Sequence, residues 1–581
     1  MTASPRVHTS DGIRLAVREH GDRARPCIVC VHGYPDDRHV WDEVVSLLAE
    51  RYHVVTYDVR GAGESDRPRR NDAYDLDRLA ADLERVMDAV SPERPVHLLA
   101  HDWGSIQAWQ AVTDPRLRER IRSFTTISGP SLDHAGEWMR SKLRRPTPRG
   151  LRDLVSQLTH SGYIGFFQLP VIPELAWRTG IMRRVIRLLD PSARHITART
   201  GDGVAGLALY RRNTSRRFRT PNPRATSVPV QVLAPTGDSF VGTPMQTEID
   251  RWVEDLRVRY LRGGHWLPRS APERIAHVTE EFVRHLEGGE QSRELRRART
   301  DVDRRGFADR LVVVTGAGSG IGRATAHAFA AEGAEIVAAD VDEAAARLTA
   351  ARLREQGAVA AGYGVDVATG SSVRELAERV REEHGVADIV INNAGIGMSG
   401  SFMDTTEADW QRVLDVNLWG VIHGCRAFAE QLIERGEGGR IVNVASAAAY
   451  LPVPGLPAYA SSKAAVLALS ERLRGELSAH GIGVTAVCPG VVSSGITDTT
   501  TFVGSSPEQQ RRKRERAGRL YRGRAFTPEA AAAEILRAAR RDRAVAPITP
   551  EARAGLLLSR LTPGLLRTVT RSRQGGKGAQ G

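Results

Sequence analysis

An aspartate in the first fifth of the chain lies in a turn that would present a nucleophile. Asp102 comes two positions after Ala100 and two before Gly104, and these small residues would let a strand and the next helix approach closely. A carboxylate on such a turn can displace a leaving group at an sp3 carbon and become an ester of the enzyme. Asp102 therefore indicates chemistry on epoxides or alkyl halides, and not on carboxylic esters.

An acid and a base follow this nucleophile in the chain order expected of a catalytic triad. His265, within Gly263-Gly264-His265-Trp266, is the predicted base that activates water for hydrolysis of the ester. Asp238 comes after the preceding strand and is the predicted acid that orients His265. Asp133, which follows an earlier strand, is the alternative acid.

Backbone amides and tyrosines complete the first predicted site. The amides of Tyr34 and Trp103 are placed to hold the oxyanion that forms when water attacks the ester. Over about residues 5–287 the motifs resemble those of the α/β-hydrolase-fold epoxide hydrolases. That resemblance implies two catalytic cap residues, Tyr163 and Tyr210, which grip the epoxide oxygen and protonate it as the ring opens. The similar haloalkane dehalogenases, which use halide-binding groups and usually have asparagine at the position of Tyr34, are the alternative.

A glycine-rich stretch far downstream predicts a dinucleotide site. A predicted strand runs into Gly316-Ala317-Gly318-Ser319-Gly320-Ile321-Gly322, and a helix follows. Glycines let the backbone approach a pyrophosphate, and a helix N-terminus supplies amides and a favourable dipole. A second predicted strand ends at Asp340, whose carboxylate would accept hydrogen bonds from the adenine ribose and repel a 2'-phosphate. NAD is therefore the expected cofactor, ahead of NADP.

A tyrosine and a lysine at fixed spacing after this stretch predict hydride-transfer chemistry. Tyr459 and Lys463 form a Tyr-x-x-x-Lys pair, and Ser446 lies thirteen residues before the tyrosine. With 11 tyrosines and four lysines in 581 residues, chance would give about 0.08 such pairs. A lysine ammonium about 4.5 Å from a phenol favours the phenolate by roughly 3 to 4 kcal/mol at an effective dielectric near 20. Tyr459 is thus the predicted general acid and base.

The second set of motifs resembles that of the short-chain dehydrogenases/reductases over about residues 307–500. The resemblance implies that Ser446 holds the substrate oxygen, that Lys463 also contacts the nicotinamide ribose, and that Asn417 belongs to a proton relay. It also implies self-association as a homodimer or homotetramer. The implied substrate is an alcohol or a carbonyl compound. The segment of the chain that would cover it has no sequence pattern that identifies the compound.

The same resemblance extends to the cofactor contacts. Asp366 matches an adenine contact, and the stretch after Pro489 matches a nicotinamide-side loop in which Ser494 replaces a frequent threonine. The predicted cofactor-binding residues are Gly316, Ser319, Gly320, Ile321, Gly322, Asp340, Asp366, Val367, Asn393, Ala394, Gly395, Tyr459, Lys463, Pro489, Gly490, Val492 and Ser494.

Two separate sheets are needed to position these motifs. The first 130 residues alternate strand and helix patterns, the chain to about 226 is helical and arginine-rich, and strands then resume. We predict an α/β protein: an N-terminal α/β-hydrolase fold with a helical cap at about 131–226, followed by a Rossmann-type doubly wound parallel sheet. The predicted parts are a hydrolase domain at 1–287, a charged linker at 288–306, a dehydrogenase domain at 307–550 and a basic amphipathic tail at 551–581.

Composition predicts a globular protein. Of the 581 residues, 41% are hydrophobic and 26% charged, no run approaches about 18 uncharged apolar residues, and the N-terminus lacks a signal-peptide pattern. We expect a cytoplasmic location. Cys27 and Cys30 form a CxxC inside a strand pattern that directs their side chains to opposite faces, so no metal site is predicted. The net charge of +13 comes from scattered arginines, so nucleic-acid binding is not predicted.

The end of the chain leaves two interpretations open. Arg553, Arg560 and Arg567 recur every seven residues beside leucines, which is typical of a helix docked on the second domain or of a segment at the inner face of a membrane. The whole chain also resembles fused hydrolase-dehydrogenase proteins of high-GC bacteria. We predict a bifunctional enzyme that hydrolyses an epoxide to a vicinal diol and oxidises or reduces an alcohol or carbonyl, in sequence on a lipophilic substrate. The competing hypothesis is that one half is an inactive binding or scaffold domain.

Overall fold

The computed structural model divides the chain into two compact units, Met1–Asp303 and Arg304–Gly581. It describes residues 6–195, 198–300, 306–493, 496, 500–522 and 526–562. The predicted tail is therefore described only as far as residue 562, and Ser494 lies outside the described residues.

The first unit is built on a mainly parallel sheet. Its strands are β1 (Arg6–His8), β2 (Arg14–His20), β3 (Cys27–Val31), β4 (His53–Tyr57), β5 (Val96–His101), β6 (Ile121–Ile127), β7 (Val230–Pro235) and β8 (Leu256–Leu261). They pair in the order β1-β2-β4-β3-β5-β6-β7-β8, in which β2 is antiparallel to both neighbours and the other described pairs are parallel. Strands β3 and β4 are buried along their whole length, as expected where helices cover both faces. The carboxyl ends of β3, β5 and β7 meet at one edge of this sheet.

Helices cover the sheet and form an insertion above that edge. They are α1 (Asp42–Leu48), α2 (Leu76–Val90), α3 (Trp103–Val112), α4 (Leu132–Arg144), α5 (Pro148–His160), α6 (Gly162–Gln168), α7 (Ile172–Arg178), α8 (Ile181–Leu189), α9 (Thr200–Arg219), α10 (Thr243–Thr247), α11 (Leu267–Ser270), α12 (Pro272–Leu286) and α13 (Arg293–Ala298). Helices α4 to α9 lie between β6 and β7 and form the cap.

Part of the predicted linker is folded. Helix α13 buries Leu295 and Ala298, and the amide of Thr300 donates to the carbonyl oxygen of Leu256 in β8. Two apolar residues three positions apart are enough to dock this short helix on the first unit, although the surrounding sequence is charged.

The second unit contains a parallel sheet with the topology of a dinucleotide-binding fold. Its strands are β9 (Leu311–Thr315), β10 (Glu335–Asp340), β11 (Ala360–Gly364), β12 (Ile389–Asn392), β13 (Met398–Ser399), β14 (Gly439–Val444), β15 (Ile482–Cys488), β16 (Thr501–Phe502) and β17 (Val545–Pro547). The main sheet has the order β11-β10-β9-β12-β14-β15-β17, and β13 pairs separately with β16. The strand order reverses between β9 and β12, and ligands of such sheets bind at this switch point.

Helices surround this second sheet. They are α14 (Gly320–Ala331), α15 (Glu343–Glu355), α16 (Gly370–His384), α17 (Glu407–Leu414), α18 (Gly420–Arg435), α19 (Pro457–Ser478), α20 (Pro507–Arg522), α21 (Pro528–Arg540) and α22 (Pro550–Leu561), with one π-helical turn at Asp415–Trp419. The start of the predicted tail is thus helix α22. Across the described part of the chain, we find no helix that combines the length and the apolar character needed to span a membrane. Both predicted architectures, the capped hydrolase fold and the Rossmann-type sheet, are confirmed.

Candidate active sites

Asp102 lies on a strained turn between β5 and α3. Its backbone has φ 51° and ψ −123°, a conformation that residues other than glycine rarely adopt. The turn requires small neighbours, because a Cβ on Gly104 would lie 2.3 Å from the Val31 carbonyl oxygen and one on Gly33 would lie 2.5 Å from the Asp102 carboxylate. Strain of this kind is concentrated at functional sites, where it fixes the direction of a side chain.

His265 connects Asp102 with Asp238. Its Nε2 lies 3.5 Å from Oδ2 of Asp102, and its Nδ1 lies 3.0 Å from Oδ2 and 3.1 Å from Oδ1 of Asp238. The amides of Phe240 and Val241 donate to the same Asp238 carboxylate over 2.8 and 3.0 Å. The loop after β7 therefore holds an acid on one side of the imidazole, and the strained turn holds the predicted nucleophile on the other.

The two candidate acids have different partners. Asp133 forms an ion pair with Arg217 and accepts a hydrogen bond from the amide of Asn222 over 3.0 Å. Asp238 is the candidate whose carboxylate contacts His265. The geometry thus favours Asp238 over Asp133 as the orienting acid.

The two carboxylates control the protonation of His265. Burial opposes the charge on the imidazole, but the charges and hydrogen bonds of Asp238 and Asp102 outweigh it and raise the pKa of His265 to about 10. Burial also opposes ionisation of Asp238, yet the nearby His265 and the two amides lower its pKa below the usual value. His265 is therefore protonated at neutral pH, and loss of the Asp102 carboxylate would lower the pKa of His265.

A backbone amide holds the other oxygen of the predicted nucleophile. The amide of Tyr34 donates to Oδ1 of Asp102 over 2.7 Å, while Oδ2 faces His265. The hydroxyl of Tyr34 donates to the carbonyl oxygen of Gly203 in the cap over 2.8 Å, which fixes this loop against α9. Trp103 follows Asp102 as the first residue of α3, at the helix N-terminus.

A cavity of about 490 Å³ lies between the cap and the nucleophile, and its wall includes Asp102, His265 and both predicted cap tyrosines. The rings of Tyr163 and Tyr210 pack edge to face with centroids 5.8 Å apart. Burial, reinforced by the nearby negative charge of Asp102, raises the pKa of both hydroxyls, so both remain protonated at neutral pH. The rest of the wall is mainly apolar and includes Phe166, Phe167, Ala176, Ile181, Met182, Val185, Ile186, Leu189, Phe240 and Trp266.

A buried carboxylate that the sequence analysis did not single out supports the histidine loop. Asp190 ends cap helix α8, and its Oδ2 accepts a hydrogen bond from the amide of His265 over 2.6 Å. Its Oδ1 accepts from the amide and the hydroxyl of Ser192 over 2.8 and 2.6 Å, and that hydroxyl in turn accepts from the amide of Trp266 over 3.2 Å. The cap is therefore joined directly to the loop that carries the predicted base.

In the second unit the glycine-rich turn connects β9 with α14. Gly316 and Gly320 have φ values of 67° and 52°, and a Cβ on Gly322 would lie 2.1 Å from the Gly316 carbonyl oxygen. The side-chain amide of Asn393 donates to the carbonyl oxygens of Thr315 and Gly316 over 3.0 and 3.3 Å. The turn is thus held against the next strand of the sheet, in a form that leaves room for a pyrophosphate at the helix N-terminus.

Two carboxylates follow the neighbouring strands at the same edge. Asp340 ends β10, where its Oδ2 accepts from the Gly318 amide over 2.8 Å and its Oδ1 accepts from the Asp342 amide over 3.1 Å. Asp366 follows β11 and accepts from the amide of Ala368 over 3.0 Å. Asp340 is therefore anchored directly beside the glycine-rich turn, where the ribose of a bound dinucleotide would lie.

Helix α19 carries the predicted acid-base pair. Tyr459 and Lys463 are one turn apart, so their side chains share a face of the helix. Nζ of the buried lysine donates to the carbonyl oxygen of Val444 over 2.8 Å, and burial lowers the pKa of Lys463 to about 8. Ser446 follows β14, and its hydroxyl accepts from the amide of Ala448 over 3.2 Å.

Asn417 lies in the π-helical turn, a form that often marks functional sites. Its Oδ1 accepts from the amide of Ile396 over 2.9 Å, and its Nδ2 donates to the Ile396 carbonyl over 3.0 Å and to the Ser462 hydroxyl over 3.3 Å. A Cβ on Gly395 would lie 3.1 Å from Asn417 Oδ1 and 3.4 Å from Lys463 Nζ. Asn417 and Lys463 therefore flank the same glycine.

A cavity of about 670 Å³ brings most of the second predicted set together. The predicted residues that line it are Gly316, Ser319, Gly320, Ile321, Asp340, Asp366, Val367, Asn393, Ala394, Gly395, Ser446, Tyr459, Lys463, Pro489, Gly490 and Val492. Gly322 and Asn417 are not in this lining. The glycine turn that a Cβ would fill, the carboxylate beside it and the Tyr-x-x-x-Lys pair form a donor set that fits NAD(P).

Thr549, which caps helix α22, and Glu551, in the first turn of that helix, support the loop after β15. The amide of Gly490 donates to Oγ1 of Thr549 over 3.1 Å, and the amide of Val491 donates to Oε1 of Glu551 over 2.9 Å. Glu551 also lines the cavity. The predicted boundary between the dehydrogenase domain and the tail, at residue 550, thus separates Thr549 from Glu551, although both hold the same loop of the site. The start of the predicted tail is therefore part of the second unit.

Comparisons with known proteins identify both units. A model of the family described as alpha/beta hydrolase fold matches residues 26–151, and one described as short chain dehydrogenase matches residues 310–502. The "Probable oxidoreductase EphD" of Mycobacterium tuberculosis is 41% identical over 580 residues, which cover 98% of each chain. The protein of the same name from Mycobacterium bovis has the same identity and coverage.

Other relatives match the second unit alone. The "2-(S)-hydroxypropyl-CoM dehydrogenase 3" of Xanthobacter autotrophicus is 35% identical over 227 residues, which cover 39% of this chain and 88% of that protein. A solved short chain dehydrogenase/reductase from Burkholderia phymatum, in complex with NAD, is 34% identical and covers 44% of this chain and 93% of its own, with a TM-score of 0.41.

Proposed function

The chain belongs to the family of enzymes that join an α/β-hydrolase domain to a short-chain oxidoreductase domain, and we propose that its first domain hydrolyses epoxides while its second oxidises or reduces an alcohol or carbonyl with NAD. The observation that carries the hydrolase assignment is the single cavity lined by Asp102, His265, Tyr163 and Tyr210. An aspartate nucleophile with two tyrosine donors suits ring opening, because the leaving oxygen stays on the substrate and needs a proton.

Ring opening would begin at Oδ2 of Asp102, the carboxylate oxygen that the Tyr34 amide leaves free. Attack of this oxygen on an epoxide carbon forms a C–O bond and breaks the ring C–O bond. The hydroxyls of Tyr163 and Tyr210, kept protonated by their raised pKa values, bind the epoxide oxygen, and one of them donates the proton it needs. The product of this step is an ester between Asp102 and the substrate.

Hydrolysis of that ester would use the remaining members of the triad. Esterification removes the negative charge of Asp102, so the pKa of His265 falls and the imidazole can release its proton, which restores the tyrosine hydroxyl that ring opening deprotonated. His265, oriented by Asp238, then takes a proton from a water molecule that attacks Cγ of Asp102. The amide of Tyr34 stabilises the oxyanion, and the Cγ–Oδ2 bond breaks as His265 returns its proton to Oδ2. The vicinal diol leaves with an oxygen that belonged to Asp102, and the new carboxyl group of Asp102 gives its proton to His265, which restores the starting state.

In the second domain, bound NAD(P) would supply the hydride acceptor or donor. Ser446 would bind the substrate oxygen, and Tyr459 would take or give its proton. Lys463, oriented by its hydrogen bond to Val444, would favour the phenolate of Tyr459 and hold the nicotinamide ribose. Asp340 at the end of β10 would accept from the adenine ribose hydroxyls, and its charge would repel a 2'-phosphate, which supports NAD over NADP.

The two reactions can follow one another chemically. A vicinal diol carries two carbinols, and oxidation of one of them gives a hydroxyketone. The mainly apolar wall of the first cavity fits a lipophilic substrate. If the diol made by the first domain does not reduce NAD while unrelated alcohols do, the reactions are not sequential.

A panel of epoxides incubated with the full chain and NAD, followed by mass spectrometry, tests both assignments. We expect epoxides to give diols, with loss of this activity in Asp102→Asn and retention in Tyr459→Phe. Hydride transfer should show the opposite pattern. Turnover of alkyl halides but not epoxides would assign the first domain to dehalogenation, and absence of either activity from the wild type would indicate a scaffold role for that domain.

A further inference from the structure

The cap has apolar stripes that face outwards. On α5, Leu151, Val155 and Leu158 follow an i, i+4, i+7 pattern and are 41%, 60% and 55% exposed. On α8, Val185 and Leu188 form a similar outward stripe and are 39% and 84% exposed. Apolar side chains at this spacing normally pack into a core. Here they are exposed, because each helix packs on the protein through a different set of its side chains.

Helix α7 extends this surface. Val171, Ile172 and Leu175 are 62%, 54% and 51% exposed. Val171 has φ 66°, which is strained for a β-branched residue and holds this apolar side chain outside the fold. We call the outward sides of α5, α7 and α8 the cap face.

The helices that carry the cap face are connected to one another. Helices α7 and α8 pack on each other. Helix α5 is joined to the loop after β7 by the side-chain amide of Gln157, which donates to the carbonyl oxygen of Phe240 over 3.2 Å. The same loop contacts the end of α8, because the hydroxyl of Ser239 donates to the carbonyl oxygen of Leu189 over 2.9 Å.

The cap face is continuous with the mouth of the first cavity. Ile181, Val185 and Leu189 line the cavity and are also 53%, 39% and 50% exposed. An apolar molecule could therefore pass from the cap face to the cavity along aliphatic side chains.

The chain segment that forms the cap face carries an excess of positive charge. Residues 140–190 contain ten arginines and lysines and three acidic residues. Each acidic residue already has partners: Asp153 lies beside two cap arginines, Glu174 pairs with Arg211 at 2.6 Å, and Asp190 holds His265. The cap face thus combines exposed aliphatic side chains with an excess of basic ones, as amphipathic helices at anionic membrane surfaces do.

We propose that the cap face docks on the surface of a bilayer containing anionic lipids. The aliphatic side chains would enter the boundary between headgroups and acyl chains, the arginines would contact the headgroups, and the cavity mouth would open towards the apolar layer. A bilayer suits this face better than a protein partner, because the exposed large apolar side chains among its described residues are Leu, Ile and Val. Protein interfaces are instead anchored by Trp and Tyr, and Leu and Val are under-represented among their hot spots. Docking does not depend on which reactions the domains catalyse.

Sedimentation of the full chain with vesicles tests the proposal. We expect binding to vesicles of phosphatidylcholine and phosphatidylglycerol in equal amounts, weaker binding at high salt, and little binding to phosphatidylcholine alone. Val155→Ser combined with Leu188→Ser should weaken binding by about tenfold or more. Leu348→Ser combined with Val359→Ser is the matched control, since these residues are 47% and 64% exposed on the second unit.

Three results would overturn the proposal. The first is binding by the cap double variant that equals binding by the control variant. The second is loss of binding when the chain is ended at Thr562 while the cap variant still binds, which would assign the contact to the basic tail. The third is a change in sedimentation velocity without vesicles that is caused by the cap variant alone, which would assign the cap face to a contact between copies of the chain.

Discussion

The buried carboxylate of Asp190, at the end of a cap helix, accepts a hydrogen bond from the backbone amide of His265 over 2.6 Å. This contact joins the cap to the loop that carries the predicted base, across 75 residues of sequence. Movement of the cap would therefore change the position of His265 relative to Asp102, and Asp190 is a positioning residue for the first site.

Asp190→Asn should lower kcat for epoxide hydrolysis about 10- to 100-fold. Both oxygens of Asp190 accept hydrogen bonds, and asparagine would replace one of these acceptors by a donor. A pre-steady-state assay should show that ester hydrolysis slows more than ester formation, since the proposed mechanism uses His265 in the second step. Hydride transfer by the same chain is the internal control and should not change. Equal loss in both steps and a lower melting temperature would indicate a purely structural role.

Asp102→Asn should lower the pKa of His265. Burial opposes the charged imidazole, and Asp102 is one of the two carboxylates that raise its pKa from 6.5 to about 10. Between pH 6.5 and about 10 the imidazole of His265 is protonated in the folded wild type and neutral in the unfolded chain. His265 therefore contributes fully to the free energy of unfolding below pH 6.5, and this contribution is lost as the pH rises through about 10. NMR titration of the imidazole nitrogens, with the signal identified by its absence in His265→Gln, checks the shift. An unchanged pKa in Asp102→Asn would contradict the coupling between the two side chains.

Lys463 should titrate well below an ordinary lysine. Burial lowers its pKa from 10.5 to about 8, and the chain contains only four lysines, so spectra of protein labelled at lysine Cε would be simple. We expect one signal with a midpoint near pH 8 in the protein without cofactor, and its loss in Lys463→Arg. Four signals that all titrate near 10.5 would show that Lys463 is not desolvated as the structure indicates.

Asp340→Ser should reduce the preference for NAD. The carboxylate lies beside the glycine-rich turn, where it can accept from ribose hydroxyls and repel a 2'-phosphate. We expect kcat/KM with NAD to fall about tenfold and that with NADP to rise. Asp342→Ser is the matched control, because serine can still cap α15 as Asp342 does. A wild type that already prefers NADP would refute the proposed role of Asp340.

Local rules made the main parts of both sites predictable. The turn at Asp102 and the glycine-rich turn at Gly316 each depend on small residues at short spacing, and Tyr459 and Lys463 are adjacent on one helix. Chain order favours Asp238 over Asp133 as the acid but leaves both open, because the outcome depends on which carboxylate the fold brings to His265.

The supporting residues could not be predicted for a related reason. Asp190 and Glu551 meet their sites through hydrogen bonds to loops 75 and 60 residues away in sequence. Neither belongs to a recognisable motif, and the arginine and leucine pattern around Glu551 predicts only a basic tail. A buried carboxylate shows its role only when the backbone amides that it accepts from are known.

A single turnover in water enriched in oxygen-18 tests the central claim most directly. With enzyme in excess over an epoxide, the water oxygen should enter the carboxylate of Asp102, since water attacks its Cγ, and the diol should carry no label. Mass spectrometry of the peptide that contains Asp102, and of the diol, measures both. Label in the diol and none in Asp102 would show that water attacks the epoxide directly, and would contradict the ester mechanism.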